Sequence, residues 1–112
     1  MAVSYSISLP DPAQARGSAP SVSFSAHGAE AFAEQLQAAL RDPAWFERWR
    51  QLQPDPDEVD PRLGVTDPSA TVTGKQREVR VDLVATTSIP GDLLKQRLHA
   101  LAGSHWELRD VR

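Results

Sequence analysis

The chain of 112 residues contains no cysteine. Disulfides, thiolate nucleophiles and Cys-ligated zinc are therefore excluded, and a reducing compartment is a natural setting. Asparagine is also missing, and Lys75 and Lys95 are the two lysines. With abundant Ala, Arg, Pro and Asp, this composition is what GC-rich coding yields, and a bacterial or phage origin is expected. No apolar run approaches the roughly 20 residues that a bilayer-spanning helix needs. The first residues, Met1-Ala2-Val3-Ser4-Tyr5, lack the basic stretch and apolar run of a signal peptide. A cytoplasmic location is the expectation.

What is present fits one domain over residues 1–112. Hydrophobic residues make up 40% and charged residues 24%, as in an ordinary globular chain. The net charge is −3, which argues against a nucleic-acid binder. The charge is uneven. Residues 1–69 carry five arginines against ten acids, whereas residues 70–112 carry seven basic residues against five acids.

Strict alternation predicts a strand over Val3–Leu9, with Val3, Tyr5, Ile7 and Leu9 on one face and three serines on the other. Pro10 and Pro12 end it, and residues 10–20 read as a loop. A second alternation predicts a strand at 22–26, with Val22, Phe24 and Ala26 inward. Phe32, Leu36, Ala39 and Leu40 then mark the apolar stripe of a helix. Asp42-Pro43 ends that helix and starts another, since Asp caps well and Pro is tolerated in the first turn. Residues 53–69 hold four prolines and five acids and read as a stiff acidic connector. Strands at 70–73 and 78–86 flank a predicted turn at Gly74-Lys75-Gln76-Arg77, with Val79, Val81, Leu83 and Ala85 inward. A further helix follows, capped by Ser88, with Leu94, Leu98 and Leu101 as its stripe and Gly103 at its end. A last strand runs through 105–111, with Trp106 and Leu108 inward.

Leaving out the first strand, this order is β-α-β-β-α-β, the ferredoxin-like split βαβ arrangement. The expected fold is thus α+β, an antiparallel sheet covered by helices on one face, with an additional N-terminal strand. Strand 22–26 is expected at the centre. Strand 3–9 is expected at an edge, or in place of one of the central strand's neighbours.

No catalytic or cofactor signature is readable. G-x-G-x-x-G, the phosphate-loop pattern, H-E-x-x-H and G-x-S-x-G are all missing. Gly74-Lys75 has Ser69 where a phosphate loop needs its first glycine. Ser104 and His105 with Asp110 suggest a triad, but neighbours on a strand point to opposite faces. His27, His99 and His105 lack metal-ligand spacing. Asp55, Asp57 and Asp60 resemble a calcium loop that would have Asp60 where glycine belongs and Thr66 where glutamate belongs. No catalytic residue, cofactor or metal ligand is assigned.

The most informative group is Trp45, Phe46 and Trp49, gathered along one side of a short helix. They are either core beneath the first helix or, with Arg48 and Arg50 at the rim, a partner-binding face. The leading expectation is a non-enzymatic protein-protein interaction module, an adaptor or inhibitor in a bacterial or phage defence or counter-defence system. Homodimerisation through open sheet edges is a second contact mode. Two alternatives remain. One is a small-ligand sensor or dimeric enzyme, with His27, His99, His105 and Arg80 around a pocket between sheet and helices. The other is RNA binding through Lys75, Arg77, Arg80 and Arg109.

Overall fold

The computed structural model describes residues 2–112. Four strands form one sheet: β1 (Val3–Leu9), β2 (Thr71–Arg77), β3 (Arg80–Thr87) and β4 (Glu107–Val111). Their order is β2-β3-β1-β4, with every neighbouring pair antiparallel. Among the described residues three α-helices accompany them: α1 (Ala29–Arg41), α2 (Pro43–Gln51) and α3 (Gly91–Ala102). The protein is an α+β domain with an antiparallel sheet.

Alternation decides which face of the sheet is covered. Tyr5, Ile7 and Leu9 of β1, Val81, Leu83 and Ala85 of β3, and Val72 of β2 are all buried. The intervening Thr71, Thr73, Arg80 and Val84 are exposed. The buried residues of α1 and α3 (Phe32, Leu36 and Leu40; Leu94, Leu98 and Leu101) join them in one core. Complete burial of each such side chain contributes roughly 1.5–3 kcal/mol, so the side-chain pattern fixes the strand faces firmly.

Strand β1 is central, flanked by β3 from Val3↔Thr87 to Leu9↔Val81 and by β4 from Tyr5↔Val111 to Ser8↔Glu107. It is not an additional edge strand. The strand expected at 22–26 does not form. Val22, Phe24 and Ala26 are buried as their alternation requires, but the backbone finds other partners. Phe24 donates its N–H to the Leu101 carbonyl at 2.8 Å, at the end of α3. Its ring meets Phe32 edge-on at 5.0 Å. A period of two specifies which side chains are buried; it does not specify what the backbone pairs with. The longer β1 takes the central ladders.

The hairpin turn is also displaced. The strands run on through Gly74–Arg77 and turn at Glu78-Val79. Glu78 has φ 58°, and Val79, expected inward, is 81% exposed at the tip. Gly74 serves packing instead: a Cβ there would lie 2.3 Å from the Ala29 carbonyl oxygen at the start of α1. The ladder beyond it carries Arg77–Asp82 and Arg80–Asp82 ion pairs at 3.6 and 3.1 Å.

The cap expected of Ser88 is absent. Pro90 precedes α3 without a side-chain cap, and the Ser88 N–H goes to the Asp67 carboxylate at 2.9 Å. Gly103 ends α3 with φ 65°, as expected. Strand β4 begins at Glu107 rather than at 105, and Trp106 and Leu108 are half-buried. Among the described residues no helix is long and apolar enough to cross a membrane.

The Pro-rich connector between α2 and β2 contains two short 3-10 turns, Pro56–Glu58 and Pro61–Gly64, each starting on the proline that its first position tolerates. Two buried charged residues pin it down. Asp67 accepts hydrogen bonds from Thr87 Oγ1, Ser88 N and Ser69 N at 2.9, 2.9 and 3.0 Å. The Ser88 N–H bond leads in holding its carboxyl below the usual aspartate range. Arg97 on α3 is 2% exposed. Its guanidinium donates to the carbonyls of Ala39 at 3.4 Å, of Leu63 at 2.9 Å and of Val65. Burial lowers its pKa to about 10, and among the described residues Nε has no hydrogen-bond partner.

Candidate functional site

The site is built on α2 and the face of α3 beside it. Asp42 accepts the Ala44 N–H at 2.8 Å and Pro43 opens α2, so the second helix starts as soon as α1 ends. This spacing separates the three aromatics. Trp45 belongs to the core at 7% exposure, and its Nε1 donates to the Val22 carbonyl at 3.0 Å. Phe46 and Trp49 are half-buried and stack on each other, with centroids 5.8 Å apart and planes at 28°. Gly64 of the connector lies against the Phe46 ring, where a Cβ would come within 2.6 Å.

The two arginines expected at the rim are engaged within the chain. Arg48 donates to the Ser21 carbonyl at 3.2 Å. Arg50 grips Glu47 through two bonds of 2.6 and 3.1 Å and reaches the Pro56 carbonyl at 3.1 Å. The Arg50 bonds, followed by one from Gln51, lower the Glu47 pKa to about 2.

Trp49 forms one wall of a surface groove of about 670 Å³ between the end of α2, the exposed side of α3, residues 16–19 and residues 103–105. Leu52, 50% exposed, extends that wall. Gln96, His99, His105 and Arg16 also line it. The Arg16 guanidinium sits 5.6 Å over the Phe32 ring and donates to the Ala26 carbonyl at 2.6 Å. This groove was not legible in the sequence, because it joins segments separated by about half of the chain.

The other candidates are dispersed. His99 and His105 share the groove, whereas His27 is exposed ahead of α1 and Arg80 lies on the open sheet face, bonded to Asp82. Asp110 is bonded to Arg112 Nε at 2.6 Å and to the Val111 N–H, so its carboxylate does not serve His105. Among the described residues no group of three or more His, Asp or Glu could hold a metal ion. Asp55, Asp57 and Asp60 lie exposed along the connector. Lys75, Arg77, Arg80 and Arg109 do converge, on a shallow cavity of about 430 Å³ on the open sheet face. Asp82 stands among them, and Glu107 holds Arg109 at 2.7 Å.

Because β1 is internal, the sheet edges belong to β2 and β4. Strand β4 is short, charged and irregular opposite Ser6/Ile7, features that discourage edge pairing. On β2, Gln37 of α1 accepts the Val72 N–H at 3.0 Å.

Compared with known protein families, curated proteins and solved structures, the chain matches none.

Proposed function

We propose that this chain is a small protein-binding module that makes its contacts through the α2–α3 groove. The observation that carries the reading is Trp49. It is a large aromatic stacked on Phe46, partly buried, and it lines a groove continued by the half-exposed Leu52. Tryptophan beside an arginine-bearing rim is a frequent anchor of protein interfaces, and an open groove between helices can receive a peptide segment. Phe46 and Trp49 form the anchor, with Arg48 and Arg50 as the outer rim and Trp45 as the support beneath. We read the fold as a split βαβ unit. In support, β1-α1-β2-β3-α3-β4 runs strand, helix, strand, strand, helix, strand, with α2 added after α1 to carry the anchor.

The test compares two tryptophans. Trp49→Ala is expected to abolish capture of the partner that the wild-type chain retains from its host lysate, while the thermal midpoint falls by only a few degrees. Trp45→Ala is expected to cost about 3–5 kcal/mol of stability. Full capture by a folded Trp49→Ala chain would refute the proposal.

A second reading, RNA binding by the open sheet face, is favoured by the convergence of Lys75, Arg77, Arg80 and Arg109 on one cavity. It is weaker because Asp82 and Glu107 pair with the three arginines and no aromatic residue of β1 or β3 faces outward for base stacking.

A further inference from the structure

The chain is acidic, with fifteen Asp and Glu and a net charge of −3. Yet among the described residues that line the α2–α3 groove, none is Asp or Glu. The groove carries Arg16, His99 and His105 instead. Among the described residues Arg16 has no carboxylate partner, and both histidines are exposed. In an acidic chain, a groove free of acids is open to an anionic occupant.

The same chain carries such an occupant immediately beside it. Leu52 and Gln53 line the groove and lead directly into Asp55, Asp57 and Glu58, all exposed. The Asp57 side chain is 98% exposed, with a long ion pair to Arg50 at 3.9 Å. Prolines 54 and 56 stiffen this stretch, which lowers the entropy lost when it docks.

We propose that the groove receives the acidic connector of a second copy of this chain, related by a two-fold axis near Leu52. The inference rests on the groove being a protein-binding surface. A two-fold contact requires each surface to meet its complement simultaneously. Adjacent groove and connector satisfy this: one rotation places each connector against the other copy's Arg16, His99 and His105, and brings the two exposed Leu52 side chains together at the axis. The apolar contact supplies affinity, and the charges set the register and the partner.

The experiment is sedimentation equilibrium of the full chain from about 1 µM to about 1 mM. The wild type is expected to dimerise reversibly, at least about tenfold more weakly when salt rises from about 50 to about 500 mM. Two exposed charge-swap variants complete the test. The first, Asp55→Lys with Asp57→Lys and Glu58→Lys, has a basic connector and a basic groove. The second, His99→Glu with His105→Glu, has both acidic. Each alone is expected to be monomeric, and their equimolar mixture is expected to form a heterodimer, because both contacts become complementary again. A wild type that stays monomeric throughout, or a dimer indifferent to both swaps, would overturn the inference. Since that result leaves the Trp49 capture experiment untouched, failure of the self-contact and failure of the protein-binding reading are separable.

Discussion

Glu78 stands where a two-residue hairpin turn favours glycine, with φ 58°. A non-glycine residue there carries roughly 1 kcal/mol of strain. Glu78→Gly is accordingly expected to raise stability by about 0.5–1 kcal/mol, measured as a shift of the urea midpoint. Asp67 gives a prediction with a sign in pH. Its folded pKa lies below the ordinary aspartate value because it accepts three hydrogen bonds. A depressed carboxylate contributes stability that is complete above its unfolded pKa, about 3.9, and is lost as pH falls through the folded pKa. Asp67→Asn is therefore expected to be less stable than the wild type at pH 7, with the gap narrowing on acidification below pH about 4. Parallel urea melts across that range check it, and a constant gap would contradict it. Neither residue was distinguished in the sequence: the strain at Glu78 depends on where the hairpin turns, and the role of Asp67 depends on partners twenty residues away.

At the scale of elements, alternation and helical spacing were legible wherever burial alone decides. Strand β1, both long helices, the α1–α2 break at Asp42-Pro43 and the inward Val81, Leu83 and Ala85 follow directly from the pattern. The misplacements share one cause: a backbone partner that lies far away in the chain. Residues 22–26 alternate like a strand but are held by Leu101 and Trp45. Gly74 resembles a turn glycine but makes room for α1. Arg97 was overlooked because its charge suggests solvent, although it falls three residues after Leu94 and four before Leu101, on the buried stripe. Its bonds tie α1, α3 and the connector together. Arg97→Met is expected to cost about 2–4 kcal/mol, since three carbonyls lose their donor. Arg97→Lys is expected to recover less than half of that, because a single ammonium does not reproduce the planar fork. Thermal melts of the two variants decide it, and wild-type stability in Arg97→Met would remove Arg97 from this role.

For the whole molecule, the helices on one sheet face build the core, and α2 adds an aromatic ledge outside it. The sequence pattern puts Trp45, Phe46 and Trp49 on one short helix; Trp45 enters the core while Phe46 and Trp49 stay partly exposed, a division that depends on how α2 packs beside α3. The open sheet face, with its basic residues largely paired, is the competing surface. The footprint of association in amide NMR spectra separates the two, whether the partner is a second copy or a captured protein. The account predicts shift changes concentrated in residues 49–58, 96–105 and near Arg16. Changes concentrated in residues 71–86 and 107–111, with the Trp49 signals unmoved, would contradict it.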